Sequence, residues 1–149
     1  MDLQNNKVNH VKGNAVDYVL AEENRKLLHV CNNGHVMGSG IALEIKNRIP
    51  EAYTEYMNGS NNLGTITECR KVINMVAQDG YGKGIRHLNY GALARCLMFA
   101  KMRLIPVEYV IPYNMGADRA GGGWEIVKEM VEFFLLPNNI TIVELSHPV

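Results

Sequence analysis

Apolar residues are distributed along this chain in two patterns, short runs typical of β-strands and longer segments with the spacing of an α-helix. Residues 27–31 form an apolar run broken only by His29, which predicts an interior strand buried on both faces. A weaker alternation at residues 7–12 predicts a first strand, and Arg70 and Lys71 predict the turn of a hairpin. The predicted strands cover residues 7–12, 27–31, 65–69, 72–77, 107–111 and 140–145.

Five helices are predicted from apolar residues at helical spacing. After the second predicted strand, Ile41, Ile45 and Ile49 recur at intervals of four residues. This helix must end before Pro50, because a proline disfavours helical geometry in the preceding residue, whereas Pro50 itself suits the first turn of the next helix. The predicted helices cover residues 15–20, 40–48, 50–58, 89–102 and 124–135.

The order of these elements determines the expected architecture. Strands and helices alternate along most of the chain, which predicts a mixed, mostly parallel central sheet with helices on both faces, a three-layer α/β/α sandwich. The 149 residues contain no visible linker, internal repeat or low-complexity segment, so one domain over residues 1–149 is expected.

The charge and cysteine content of the chain limit the kinds of binding partner and metal site that are expected. Lys plus Arg and Asp plus Glu both number 15, so no overall positive charge favours nucleic acid or an anionic membrane. The three cysteines, Cys31, Cys69 and Cys96, include no CxxC pair, which argues against a disulfide framework and a zinc site. The expectation is a cytoplasmic protein with no signal peptide or membrane span, no cofactor and no metal.

A glycine-rich loop between the second predicted strand and its helix is the first candidate site. It carries Asn32, Asn33 and the turn Gly38-Ser39-Gly40, and it follows His29. Free backbone N–H groups and the positive end of a helix dipole meet at such a junction, which suits an anion. The turn matches neither a P-loop nor the GxGxxG fingerprint. An ordinary strand-to-helix turn therefore remains an alternative.

A second glycine-rich loop, residues 113–123, follows the strand predicted at 107–111. In a parallel sheet, the loops that leave the carboxyl ends of the strands meet at one edge, where open α/β folds bind ligands. Two such turns could hold a diphosphate between them while short polar side chains bind sugar hydroxyls. The pattern therefore indicates a nucleotide-sugar or dinucleotide-like ligand.

The chain resembles the macro domain family, which binds ADP-ribose, and within it the fungal and bacteriophage ADP-ribose 1″-phosphate phosphatases. The matching motifs occur in family order along nearly the whole chain. They are Val11-Lys12-Gly13-Asn14, His29-Val30-Cys31-Asn32, Gly38-Ser39-Gly40-Ile41-Ala42, Ile49-Pro50-Glu51-Ala52, Leu88-Asn89-Tyr90, Asn114-Met115-Gly116 and Trp124. The resemblance implies phosphate removal from ADP-ribose 1″-phosphate in the cytoplasm, that of the host if the protein is phage-encoded.

The resemblance also implies roles for individual residues. Asn14 stands where many macro domains have an aspartate that contacts adenine, Asn32 where they hold the distal ribose, and His29 where the phosphatases have a catalytic histidine. The pyrophosphate would be held from two sides. The implied contacts are the amides of Gly38, Ser39, Gly40 and Ile41 on one side and of Met115, Gly116 and Ala117 on the other. Asn114 is a further implied ligand-binding residue.

Two other functions remain open at this point. Asp118 resembles the aspartate of macro domains that remove ADP-ribose from glutamate, although the lysine of that branch is replaced here by Ala77 or Gln78. A non-catalytic module that sequesters ADP-ribose-type nucleotides is the alternative from a different class. Without the resemblance, a lone histidine inside an apolar strand such as His29 is more often a hydrogen-bonded core residue than a catalytic one. The expected partner is a small ADP-ribose derivative, with no nucleic acid or membrane, and a monomer is expected.

Overall fold

A computed structural model describes residues 8–81, 85–102, 106–118 and 120–145 of the protein. Lys7, the predicted start of the first strand, lies outside the described residues. The strands are β1 (Val8–Lys12), β2 (Arg25–Asn32), β3 (Ile66–Glu68), β4 (Val72–Gln78), β5 (Glu108–Pro112) and β6 (Asn139–Glu144). The helices are α1 (Ala15–Leu20), α2 (Gly40–Arg48), α3 (Pro50–Asn58), α4 (Tyr90–Lys101) and α5 (Trp124–Leu135).

The six strands form one sheet in the order β1-β6-β5-β2-β4-β3. Neighbouring strands are parallel throughout, except that β3 runs antiparallel to β4 as the hairpin pattern predicts. β2 lies between β5 and β4, and Leu27 and Leu28 at its centre are fully buried. This position explains why β2 is apolar on both faces.

Helices cover both faces of the sheet, so the predicted three-layer α/β/α sandwich is confirmed. α4 and α5 pack on the face that carries Leu28 and Met75. α1, α2 and α3 pack on the opposite face, which carries Leu27 and Val72. Successive strand residues point to opposite faces, so neighbouring residues of one strand contribute to different apolar clusters.

Differences between predicted and observed elements are confined to their ends. Helix α4 begins at Tyr90 rather than Asn89, because the Asn89 side chain caps it by accepting a hydrogen bond from the Ala92 amide at 2.8 Å. β5 is shifted by one residue from the strand predicted at 107–111 and includes Pro112. At the end of β2, the pairing with β4 shifts between Cys31 and Asn32. This irregularity marks the transition from the sheet into the first glycine-rich loop.

Candidate functional site

A cleft of about 1040 Å³ lies at the carboxyl ends of the parallel strands. The loops after β1, β2, β4 and β5 all contribute to its walls, as the predicted topology requires. Its volume is at the upper end of the range typical of small-molecule sites. Among the residues expected at the site, its lining includes Asn14, His29, Asn32, Gly38, Ser39, Gly40, Ile41, Asn114, Met115, Gly116 and Asp118.

The first glycine-rich turn, residues 38–41, presents backbone N–H groups. Within the described part of the chain, the amides of these four residues have no hydrogen-bond partner. Ser39 is the N-cap of α2, and its side chain makes no capping hydrogen bond, so the positive end of the helix dipole is uncovered. Gly40 has φ +57°, a left-handed conformation that favours glycine. The turn therefore has the local chemistry of an anion site.

The second glycine-rich turn offers fewer donors than the resemblance implies. The Met115 amide donates to the Pro112 carbonyl at 3.0 Å, and the Ala117 amide donates to the Asn114 carbonyl at 2.8 Å. The Gly116 amide has no partner among the described residues. Ala117 is also absent from the described lining of the cleft. Of the three amides expected here, only that of Gly116 is available to a ligand without breaking the turn.

Asn32 is bonded within its own loop. Its Nδ2 donates to the Val36 carbonyl at 2.8 Å, and its Oδ1 accepts from the Gly34 amide at 2.9 Å and from the Val36 amide at 3.2 Å. The Tyr56 hydroxyl donates to the Asn32 carbonyl at 2.5 Å. The carboxamide therefore shapes the start of the loop, and its expected contact with a ribose stays a prediction.

The His29 side chain lies in the core beneath the cleft. Its Nε2 is 2.6 Å from Asn74 Oδ1, and the ring is only 1% exposed. Asn74 Nδ2 donates to the Ala52 carbonyl and to Thr67 Oγ1, which fixes Oδ1 toward the histidine. His29 Nε2 must therefore carry the proton and donate a hydrogen bond to Asn74 Oδ1.

The surroundings of His29 also determine its charge. Burial lowers the pKa of the imidazole to about 4, and the Asn74 hydrogen bond opposes this only in part. The remaining lone pair lies on Nδ1, which is 3.8 Å from Cys31 Sγ. The imidazole is neutral at physiological pH, and the catalytic role expected for it stays a prediction.

Asp118, by contrast, is exposed and lies at the wall of the cleft. No side chain in the described ranges bonds its carboxylate, while its carbonyl accepts from the Gly121 amide at 3.3 Å. Arg119, the neighbour with which a surface aspartate would pair, lies outside the described residues. Of the two candidate catalytic side chains, Asp118 is the one that solvent and a ligand can reach.

Asn14 is tied into a network at the other end of the cleft. Its Oδ1 caps α1 by accepting from the Asp17 amide at 2.8 Å, and its Nδ2 donates to Glu44 Oε2 at 2.8 Å. Arg48 also donates to Glu44 Oε2, at 3.0 Å. The contact expected between Asn14 and adenine stays a prediction, and Glu44 is the carboxylate that the cleft presents beside it.

Glu44 and Tyr81 are among the residues of the cleft that sequence reasoning missed. The signal for Glu44 was its spacing, since it lies one helical turn after Gly40 and Ile41 and therefore on the same side of α2. Tyr81 packs so closely on Gly34 that a Cβ there would lie 2.8 Å from its ring. For Tyr81, only the position in the loop after β4 could have indicated that it lines the cleft.

Other kinds of site receive no support from the described residues. Within those ranges, no three His, Cys, Asp or Glu side chains are grouped so that they could hold a metal ion. Cys31, Cys69 and Cys96 are free thiols. None of the helices in the described ranges has the length and apolar character needed to span a membrane.

The chain shares its fold with macrodomains of known structure. The macrodomain of Mycobacterium tuberculosis DarG superimposes with a TM-score of 0.70 at 21% identity, covering 93% of this chain and 97% of that one. Thermosipho africanus DarTG, solved in complex with ADP-ribose, matches with a TM-score of 0.70 at 15% identity. That match covers 95% of this chain and 43% of DarTG. At identities this low, the structural similarity establishes a shared fold and nothing more.

Two further relatives have no assigned activity. A protein of unknown function from Bacteroides thetaiotaomicron has a TM-score of 0.78 at 24% identity, over 93% of this chain and 98% of its own. An uncharacterised 17.5 kDa protein from the tk-vs intergenic region of enterobacteria phage T4 is 26% identical over 155 residues. That alignment covers 92% of this chain and 96% of the phage protein. No protein-family model matches the chain.

Proposed function

We propose that this protein binds an ADP-ribose derivative in the cleft at the carboxyl edge of its sheet. The observation that carries the proposal is the turn of residues 38–41 at the N-terminus of α2, which lines the cleft and whose amides have no partner among the described residues. A diphosphate fits this chemistry because its charge meets both the amides and the helix dipole. The Gly116 amide is the donor on the opposite wall.

Similarity in fold adds support for this choice of ligand. DarTG from Thermosipho africanus was solved with ADP-ribose, and its matched portion has the same fold as nearly all of this chain. A nucleoside diphosphate sugar also needs a long cleft with polar groups at both ends. Here Asn14 and Glu44 lie toward one end, while Asn32 and Tyr81 belong to the loops that form the other.

The reaction that we propose is hydrolysis of ADP-ribose 1″-phosphate. Water adds to phosphorus, the bond from phosphorus to the ribose oxygen breaks, and ADP-ribose and inorganic phosphate leave. Amides aimed at the phosphoryl oxygens would stabilise the charge that develops on them. His29 is neutral, the form that accepts a proton. Its lone pair is on the buried Nδ1, so it can serve as general base only if the ring moves to let a water molecule reach Nδ1.

A second reaction is favoured by the exposure of Asp118. A carboxylate beside a dianionic phosphate group would repel it, whereas a carboxylate can orient water for attack on the 1″ carbon of an ADP-ribosyl ester. Asp118 lies at the cleft wall with no described side chain bonded to it, which suits that role. Removal of ADP-ribose from modified macromolecules is therefore the second candidate. Sequestration without turnover is the third.

One pair of assays separates these candidates. Inorganic phosphate released from ADP-ribose 1″-phosphate and ADP-ribose released from a glutamate-linked ADP-ribosyl peptide are measured for the wild type, His29→Gln and Asp118→Asn. The phosphatase proposal expects release of phosphate by the wild type and a loss of about 100-fold or more in His29→Gln. ADP-ribose binding by each variant shows whether its site is still formed.

The outcomes assign the chemistry. Release of peptide-linked ADP-ribose that is lost in Asp118→Asn, with no phosphate release, would replace the phosphatase by the second candidate. Binding with no turnover of either substrate would leave a sequestering module. Phosphate release that is unchanged in His29→Gln would remove His29 from the mechanism.

A further inference from the structure

Glu44 lines the cleft, and only one of its two carboxylate oxygens is bonded by described residues. Asn14 Nδ2 and Arg48 both donate to Oε2, at 2.8 Å and 3.0 Å. In the described part of the chain, nothing bonds Oε1. The side chain is 32% exposed, and the residue lines the cleft. Two donors on one oxygen hold the carboxylate in a fixed orientation and leave the other oxygen available.

The two other acidic residues of the described cleft lining are held differently. Asp118 is exposed, and no described side chain orients its carboxylate. Glu144 is paired with Lys12 at 3.3 Å, and the side chains of this pair are 46% and 70% exposed. A long exposed pair of this kind fixes geometry poorly. Glu44 is therefore the preorganised acceptor of the three.

Asn14 cannot readily serve as an acceptor at this end of the cleft. Its Oδ1 already caps α1 and is 3.5 Å from Arg48, and its Nδ2 is committed to Glu44. The lining around these two side chains is largely apolar and suits a flat aromatic base. It includes Ala15, Ile41, Val143 and Leu145.

We propose that Glu44 determines which nucleobase the cleft accepts, by taking a hydrogen bond from the exocyclic amino group of adenine. This inference rests on the proposed function, the binding of an ADP-ribose derivative. A carboxylate oxygen can only accept, so it attracts an N–H group and repels a carbonyl oxygen in the same place. The 6-amino group of adenine therefore fits, and the 6-carbonyl group of hypoxanthine does not.

Substitution of Glu44 by glutamine should reverse this preference. Glutamine has a single side-chain oxygen, which Asn14 and Arg48 would retain as their acceptor. Its amino group would then occupy the position of Oε1 and would donate to the ligand. The binding constants of ADP-ribose and of its hypoxanthine analogue, inosine diphosphate ribose, are measured by calorimetry for the wild type and for Glu44→Gln.

The wild type is expected to bind ADP-ribose about tenfold or more tightly than the hypoxanthine analogue. Glu44→Gln is expected to bind the analogue at least as tightly as ADP-ribose. A merely structural role for Glu44 would weaken both ligands together and leave their ratio unchanged, so the ratio is the decisive quantity.

Two matched variants serve as controls. Asp17→Asn removes the other acidic partner of Arg48, which lies 2.8 Å from it, without changing the described lining of the cleft. Glu144→Gln neutralises the neighbouring acidic residue of the lining. Both are expected to keep the wild-type ratio of affinities.

The possible failures are distinguishable. If the wild type binds ADP-ribose but the ratio is the same in Glu44→Gln, this inference is overturned and the proposed function stands. If the folded wild type binds neither nucleotide, the proposed function fails and this inference fails with it. A reversal in Glu144→Gln instead would transfer the role to that residue.

Discussion

At the residue scale, three polar side chains that the sequence singled out have hydrogen-bond partners inside the protein, namely Asn14, His29 and Asn32. His29 interrupts an apolar strand, and its ring is bonded to Asn74 on the neighbouring strand β4. Asn74 is itself fully buried and also bonds α3 and β3. A partner 45 positions away cannot be identified from the pattern around His29. The sequence therefore identifies an unusual polar residue at this position but does not identify its hydrogen-bond partner.

The lowered pKa of His29 makes stability depend on pH. The imidazole is neutral in the folded protein down to a pKa of about 4 but takes up a proton near pH 6.5 in the unfolded chain. Between these values the unfolded state binds more protons, so the free energy of unfolding falls as the pH falls. We expect the titration of His29 to lower the free energy of unfolding by about 3 kcal/mol between pH 6.5 and pH 4.

Denaturant unfolding at several pH values measures this contribution. His29→Gln, which can still donate a hydrogen bond to Asn74, should lower stability at pH 7 but make its dependence on pH shallower than in the wild type. His10→Gln, a change of the same kind at an exposed position of β1, serves as the matched variant for comparison. Equal slopes for the wild type and His29→Gln would contradict the buried, neutral histidine.

At the element scale, local rules predicted most of the fold. Pro50 separated α2 from α3, and the apolar spacing of residues 124–135 matched the bounds of α5. The misplaced ends reflect side-chain capping and strand pairing, which depend on atoms that a pattern does not contain. The glycines of residues 113–123 predicted a tight turn. They did not indicate that the Met115 and Ala117 amides would donate to the nearby carbonyls of Pro112 and Asn114.

Two adjacent glycines test the packing of that turn. A Cβ on Gly122 would lie 2.7 Å from the Gly116 carbonyl oxygen and would overlap Leu88 Cδ2, whereas a Cβ on Gly123 meets nothing closer than Ile126 at 3.4 Å. The Gly116 backbone cannot shift without straining the turn, so Gly122→Ala should lower the free energy of unfolding by about 2–3 kcal/mol.

Gly123→Ala is the control, and it should cost less than about 1 kcal/mol through its position as the N-cap of α5. Thermal or denaturant unfolding of the two variants gives the comparison. If the two substitutions cost the same, the close approach of residues 116 and 122 is not a determinant of stability.

At the scale of the whole molecule, the topology brings distant loops to one cleft. Parallel strands joined by helices place the loops after β1, β2, β4 and β5 at a single edge, so the position of the cleft could be predicted from element order. Which side chains point into the cleft depends on packing. That is why Glu44 and Tyr81 were missed while Asn32, predicted to bind ligand, is bonded within its loop.

The central claim is that the amides of residues 38–41 bind the diphosphate of an ADP-ribose derivative. Gly38→Glu tests it, because among the described residues a Cβ on Gly38 meets only Val36, at an ordinary 3.5 Å, and Gly38 lacks a left-handed φ, so the fold should tolerate the change. The new carboxylate would repel the diphosphate. Gly91→Glu adds the same charge on the exposed first turn of α4, outside the described lining of the cleft.

The measurement is calorimetric titration of the wild type and both variants with ADP-ribose. We expect the wild type and Gly91→Glu to bind alike and Gly38→Glu to bind about tenfold more weakly or worse. Equal affinity of Gly38→Glu and Gly91→Glu, or a folded wild type that does not bind ADP-ribose, would contradict the claim.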